Sequence, residues 1–312
     1  MIEPILYVLA LLASFALIAK AGEIFVDSAC AIAHRLGVPR AVIGLTLVSF
    51  ATTMPEFITS FSASSLGNVG MAYGNAVGTC IFNGLFIIGI ATLIAVISVH
   101  RERLYEGLVM VAFGGLVTVL ALDGGLDRFD AIVLLLALVI FLRFVLRRES
   151  KREKPVEISK ARGLKRPALL FALGAAGIVV GARLLIYGAA GIATLAGISE
   201  ATIGFTLVAA GTSLPELATA IIASRRGVAE LSLGNIIGAN ILDLSWVLGA
   251  AALVSPLVVE ARMLIFSNLF MLLAMATILV FMRSGWKITK KEGAALLALY
   301  VVYAVCLFVF WR

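Results

Sequence analysis

Two stretches, "FATTMPEF" (residues 50–57) and "AAGTSLPEL" (residues 209–217), each place a glutamate directly after a proline and shortly after two hydroxyl side chains. Thr52 and Thr53 precede Glu56 by four and three positions, and Thr212 and Ser213 stand in the same relation to Glu216. At helical spacing each trio shares one face. Proline gives no hydrogen bond to the carbonyl four residues back and its ring pushes that carbonyl aside, which frees oxygens near Ala51 and Gly211. A second stripe follows each motif at i, i+4: Asn75, Thr79 and Asn83 in one, Asn235, Ala239 and Asp243 in the other. Hydroxyls, amide oxygens, freed carbonyls and carboxylates are all hard oxygen donors. Such a set suits Ca2+ or Na+, whereas softer metals recruit His or Cys.

The composition says what kind of elements hold these residues. Of 312 residues, 62% are hydrophobic and 14% charged, with a mean hydropathy of +1.11; such a chain takes the lipid bilayer as its solvent. Apolar stretches of about 20 residues predict an all-α polytopic membrane protein. Its ten transmembrane helices are expected at 4–33, 41–64, 71–97, 105–122, 129–147, 168–192, 201–224, 232–254, 262–283 and 292–311. Ala19-Lys20-Ala21 mimics a signal cleavage site, but the preceding residues open with Glu3 and hold no basic n-region, so the first stretch reads as a span. A carboxylate at mid-helix costs about 2.5–3.5 kcal/mol on insertion scales, and Glu56, Glu216 and Asp243 all fall inside predicted spans. A structural cap, or a buried pair with Lys20 or Arg183, is the plainer explanation, yet it leaves a duplicated oxygen-rich pattern unexplained.

That duplication is extensive. An offset of 160 carries residues 37–83 onto 197–243 without a gap. Gly44, Thr46, Leu47, Val48, Thr52, Pro55, Glu56, Gly74, Asn75, Gly78 and Ile81 meet Gly204, Thr206, Leu207, Val208, Thr212, Pro215, Glu216, Gly234, Asn235, Gly238 and Ile241. Chance agreement between apolar helices would match Leu, Val and Ala, not Thr, Pro, Glu and Asn. Five spans separate the copies, and an odd number reverses direction through the membrane. The chain is therefore expected to form two inverted five-helix repeats, 1–147 and 168–312, with motifs at 44–83 and 204–243 and a short basic linker at 148–167. Inverted halves around a midplane site are a recurrent build of secondary transporters.

The net charge of +7 raises nucleic acid as a partner, but the positions of the basic residues argue against it. Arg35 and Arg40, Arg101 and Arg103, the run from Arg143 to Arg166, Arg225 and Arg226, and Arg283 to Lys291 fall on one side of the predicted topology. Arg128, Arg262 and Arg312 fall on the other. The positive-inside rule then puts the basic loops in the cytoplasm and both termini outside, in a multi-pass protein of the cell membrane. Cys30, Cys80 and Cys306 lie in spans without metal-ligand spacing. Lys20, Glu23 and Asp27 form either a gating face or local i, i+3 and i, i+4 pairs. His34 and His100 read as surface, and "RRESKREKPVE" (147–157) as a solvated linker that would also attract anionic lipid. No organic cofactor and no obligatory protein partner are implied.

"GTSLPE" with "GNIIGANILD", and more loosely "ATTMPE" with "GNAVGTCIFN", resemble the two alpha-repeats of the sodium/calcium exchangers, within the cation/calcium exchanger superfamily, in their short archaeal or prokaryotic form. The ten-span inverted layout extends the resemblance over the whole chain. It implies a Na+/Ca2+ antiporter working by alternating access, not an enzyme, with Ca2+ and Na+ as cargo at a central cluster of four positions. By motif, Glu56 and Glu216 would be the main Ca2+ carboxylates, shared with Na+, and Thr52 and Thr212 would contribute to the Ca2+ position. Thr53, Thr79 and the Ser49 carbonyl would serve an inner Na+ position; Ser213 and the Ala209 carbonyl an outer one; Asn83 and Asp243 a middle one. The first and sixth spans would slide as the gate.

Three departures stand out: Ala51 where the family usually has Gly, Thr53 where it has Ser, and Ala239 where relatives carry a hydroxyl. The last removes a possible outer Na+ ligand. Glu216, in place of the Asp of potassium-dependent relatives, argues against K+ coupling. A Ca2+/H+ antiporter on the same fold is the nearest rival, because the same carboxylates can take protons. A cation channel fits inverted repeats less well, and an intramembrane hydrolase would need neither the duplicated ligands nor lack an H-E-x-x-H motif.

Glu56, Glu216 and Asp243 carry one negative charge more than Ca2+ neutralises, so a proton on Asp243, whose counterpart Asn83 is neutral, is expected when Ca2+ is bound. Asp243→Asn should accordingly keep Ca2+ transport, measured as uptake into vesicles; abolished uptake would refute this charge assignment.

Overall fold

In hydrocarbon each backbone polar group must be paired within the chain, and helices satisfy this segment by segment. A computed structural model describes residues 2–36, 40–150, 163–195, 209–258 and 261–310, and these residues are overwhelmingly helical. The order is α1 (Ile2–Leu36), α2 (Arg40–Ile43), a π-helical stretch Gly44–Val48, α3 (Ser49–Thr52), α4 (Met54–Ser65), α5 (Val69–Ile81), a second π stretch Phe82–Ile87 and α6 (Ile88–Ile94). Strand β1 (Ile97–Ser98), α7 (Leu104–Leu120), β2 (Gly125–Leu126) and α8 (Arg128–Ser150) complete the first part. Then come α9 (Lys165–Leu195), α10 (Ala209–Thr212), α11 (Leu214–Arg225), α12 (Ala229–Leu242), a third π stretch Asp243–Val247, α13 (Leu248–Val254), β3 (Leu257–Val258), α14 (Ala261–Arg283), β4 (Lys287–Ile288) and α15 (Lys290–Phe310).

Helix lies in each of the ten stretches expected to cross the bilayer. Among the described residues, five segments are long and apolar enough to cross by those criteria alone: Glu3–Leu36, Val69–Ile94, Leu104–Asp123, Ala229–Val254 and Leu264–Arg283. The motif helices fail that test because they are interrupted. Thr53 (φ −78°, ψ −3°) and Ser213 (φ −88°, ψ 7°) break the helix, and Pro55 and Pro215 sit in the first turn of the helix that follows. The prolines thus open α4 and α11, where a missing N–H costs nothing, rather than lying within one continuous helix as the sequence pattern suggested. Gly204, Thr206, Leu207 and Val208 of the second copy lie outside the described residues, as does most of the linker.

The duplication is visible as paired irregularities. Gly67 (φ 81°) and Gly227 (φ 71°) turn the chain between motif helices, and left-handed backbone of this kind suits glycine. Helix α6 ends at Ala95 (φ −143°, ψ 137°) and α13 at Ser255 (φ −143°, ψ 133°). The two strands that follow are not in the all-helical expectation: β1 pairs antiparallel with β4, and β2 with β3. The offset of 160 maps β1 onto β3 and brings β2 close to β4, so each ladder joins a strand of the first copy's side of the chain to one of the second's. Residues this short and separated by more than a hundred positions leave no period-2 signal to read.

Packing divides into two apolar clusters. One, around Tyr73, Ile81, Leu85, Met110, Ile236, Leu248 and Met275, joins α4–α8 to α12–α15. The other, around Phe25, Val26, Ala29, Phe171 and Ile178, binds α1 to α9 and meets the body through Ala218, Ala223 and Leu231. A row of glycines on α9 lets the backbones close up: a Cβ at Gly174 would lie 2.8 Å from the Phe25 nitrogen, and one at Gly181 would lie 2.6 Å from Ile18. On α1, Lys20 and Glu23 form the expected local pair at 3.7 Å. Arg226 adds longer-range pairs to Glu23 (3.4 Å) and Asp27 (3.6 Å).

Helix α12 crosses the first π stretch backbone to backbone. A Cβ on Gly238 would collide with the Leu45 carbonyl and lie 2.5 Å from the Ser49 hydroxyl, and one on Gly44 would lie 2.6 Å from the Leu231 carbonyl. Gly238→Ala should therefore destabilise the fold by about 1–3 kcal/mol. Gly115→Ala on α7, where a Cβ meets nothing within 4 Å, should leave stability unchanged or slightly raised. Thermal unfolding of the purified variants in detergent checks both.

Candidate functional site

The break before each proline turns the Pro-Glu pair inward. Glu56 on α4, Glu216 on α11 and Asp243 at the start of the third π stretch are each 0% exposed. Glu56 lies within charge–charge range of both Glu216 and Asp243, and Asp243 within range of Glu216, although among the described residues no three His, Cys, Asp or Glu side chains stand close enough together to hold a metal ion. Their oxygens are nearly bare. Glu56 Oε1 accepts a hydrogen bond from the Ser213 hydroxyl at 3.3 Å. Glu56 Oε2, both Glu216 oxygens and both Asp243 oxygens have no hydrogen-bond partner. The competing pairs with Lys20 or Arg183 do not form: Lys20 faces Glu23 with its side chain 75% exposed, and Arg183 is exposed.

The other expected residues line the same seam. Thr52 donates to the Asn235 side-chain oxygen at 3.3 Å and to the Ser49 carbonyl at 3.4 Å. The Ser49 carbonyl also takes the Thr53 N–H at 2.9 Å, while the Thr53 hydroxyl is buried without a partner. Thr79 and Thr212 are buried, Thr79 one turn before Asn83 on α5, and Thr212 at the end of α10, which Ala209 opens. Asn75 contributes its nitrogen rather than its oxygen, donating to Ser60 Oγ at 2.9 Å and the Glu56 carbonyl at 3.4 Å. Ser213 to Glu56, Thr52 to Asn235, and Asn83 to Asn240 (3.2 Å) each cross from one repeat to the other.

Several polar residues of the seam escape a reading based on exact repetition. Asn83, the counterpart of Asp243, donates to Asn240, whose own counterpart is Cys80. Ser60 donates to the Ala72 carbonyl at 3.2 Å, and Ser232 to the Ala220 carbonyl at 3.1 Å. The offset maps 60 onto 220 and 72 onto 232, so one contact is kept while its donor changes sides. Thr219, three residues after Glu216, holds a buried hydroxyl without a partner; its helical spacing from Glu216 was the available signal.

Unpaired buried carboxylates are strongly unfavourable. Three of them, buried within charge–charge range of one another and, among the described residues, in no ion pair with a basic side chain, give this seam the charge to attract a cation. The family described as "Sodium/calcium exchanger protein" matches residues 6–147 and 166–309. This chain belongs to the sodium/calcium exchanger family.

The exchanger is 31% identical to the sodium/calcium exchanger MaX1 of Methanosarcina acetivorans over 96% of this chain and 98% of that one. It is 37% identical to the inner membrane protein YrbG of Escherichia coli over 79% of each. In three dimensions it is similar to the sodium-calcium exchanger NCX_Mj soaked with 10 mM Na+ and 10 mM Sr2+, with a TM-score of 0.87, 32% identity, and 96% and 98% of the two chains covered. The fold is thus that of a polytopic membrane exchanger and the chain is a transporter, not an enzyme.

A cation bound among these carboxylates stabilises only the folded state, by about 2.7 kcal/mol at a hundred times its Kd. Ca2+ should raise the unfolding temperature of the purified exchanger and have little effect on Glu216→Gln. That variant, which loses an unpaired charge, should be no less stable than wild type without Ca2+. Calorimetry with and without chelator checks this.

Proposed function

We propose that the exchanger couples Na+ movement to opposite movement of Ca2+ by alternating access at the three-carboxylate seam. The observation that carries the reading is the burial of Glu56, Glu216 and Asp243 within charge–charge range of one another, with, among the described residues, a single hydrogen bond to their side chains, from Ser213 to Glu56. Glu56 and Glu216 supply most of the charge that replaces a cation's hydration shell. Thr52 and Thr212 complete a Ca2+ position. Thr53, Thr79 and the Ser49 carbonyl serve an inner Na+ position, where the ion takes the place of the Thr52 hydroxyl on that carbonyl. Ser213 and the Ala209 carbonyl serve the outer position, and Asn83 and Asp243 the middle one.

The halves 1–147 and 168–312, joined at 148–167, alternate around this point. Helices α1 and α9 act as the sliding pair, supported by their close mutual packing and by an apolar cluster distinct from that of the body. Exchange follows from electrostatics: the empty, charged site is costly to carry past the apolar gate, and either Ca2+ or several Na+ remove that cost. The basic loops face the cytoplasm and both termini the outside. Ala239 favours one rival, a Ca2+/H+ antiporter, because it withholds a hydroxyl from the outer Na+ position.

Ca2+ uptake into Na+-loaded proteoliposomes diluted into Na+-free buffer tests the reading. Uptake should require internal Na+, fail with choline inside, vanish in Glu216→Gln, and weaken as pH falls because protons compete for the same oxygens. Uptake driven by an imposed pH gradient and indifferent to Na+ would replace Na+ with H+ as the coupling ion.

A further inference from the structure

Asn83 and Asp243 are counterparts at the repeat offset of 160, the first an amide in the first turn of its π stretch and the second a carboxylate that opens its own. The difference has a chemical consequence. The two oxygens of a carboxylate are equivalent, so either can face a cation. A carboxamide has one end that accepts and one that donates, and a cation is attracted by the first and repelled by the second. Something must choose which end faces the seam.

Asn240 is placed to do so. Its Oδ1 accepts from Asn83 Nδ2 at 3.2 Å, and its own Nδ2 donates to the Cys80 carbonyl at 3.4 Å and approaches Met110 Sδ at 3.6 Å. The Cys80 thiol returns a contact to the Asn240 carbonyl at 3.7 Å. The direction of this chain is set by the Cys80 carbonyl, which can only accept: it requires the Asn240 nitrogen, which leaves the Asn240 oxygen for the Asn83 nitrogen. Asn83 Oδ1 is thereby left buried and without a partner. Both amides are 0% exposed, so protein groups packed against them make the choice. At the equivalent place in the other repeat, where the counterpart of Asn83 is a carboxylate that needs no orienting, the residue is Cys80 rather than an amide.

We infer that Asn240 is a positioning residue that acts through Asn83, holding its carboxamide with the oxygen toward the transported cations. This rests on the proposed reading of the seam as the ion site. Outer partners that orient metal ligands commonly matter 10- to 100-fold in affinity.

The test measures half-saturating Ca2+ and Na+ for the rise in unfolding temperature of the purified full-length protein. Five variants are compared: Asn240→Leu, Asn240→Cys, Asn83→Leu, and Asn83→Leu combined with each Asn240 substitution. Either Asn240 substitution alone should weaken at least one cation by about 10-fold or more, and should have no further effect once Asn83→Leu has removed the amide. Asn240→Cys, which introduces the residue the other repeat already carries, serves if the leucine variant does not fold. Unchanged affinity for both cations, or a loss that persists undiminished in the Asn83→Leu background, overturns the inference while leaving the ion site standing. A wild type stabilised by neither cation overturns both.

Discussion

The structure depends on three carboxylates held in a medium that does not solvate them. Each of Glu56, Glu216 and Asp243 is fully buried, and only one of their oxygens finds a hydrogen-bond donor. A protein built for stability alone would not keep such a cluster, because an apolar replacement is usually neutral or better. The helices around it can be understood as the means of holding that charge in place. Broken motif helices aim it, polar crossings between the repeats fix its surroundings, and close backbone contacts leave no slack.

The breaks and the glycines work together. Thr53 and Ser213 interrupt their helices just before the prolines, which lets α4 and α11 begin at the seam with their first-turn glutamates facing it. Negative charge in the first turn of a helix is also where the backbone dipoles favour it. Helix α12 can reach this level only because Gly44 and Gly238 allow it to touch the first π stretch directly. That contact brings Asn235 against Thr52, so a packing feature becomes a feature of the site.

Symmetry in this molecule is approximate in a useful way. The Ser60 and Ser232 contacts preserve a bond while exchanging its donor. The pairs Asn83 with Asn240 and Asp243 with Cys80 preserve a location while changing its chemistry. A strictly symmetric pair at 83 and 243 would carry one carboxylate more or one amide in place of Asp243, and either would change the charge of the seam by one. Departures from the repeat are therefore as informative as the repeat itself.

Much of this was legible in the residues alone. The long apolar runs implied helices, since nothing else satisfies the backbone in hydrocarbon, and the recurrence of Thr, Pro, Glu and Asn at one offset marked the motifs and their buried glutamates. Local pairing of Lys20 with Glu23 followed from spacing. What the tertiary structure decided are the contacts between positions far apart in the chain. These include the ladders of β1 with β4 and β2 with β3, the reach of Arg226 to α1, the use of Asn75 as a donor, and Asn240 as the partner of Asn83. The physical reason is that helical periodicity and covalent spacing act within a segment, whereas a hydrogen bond between segments depends on crossing distance and rotation, which only the packed whole determines.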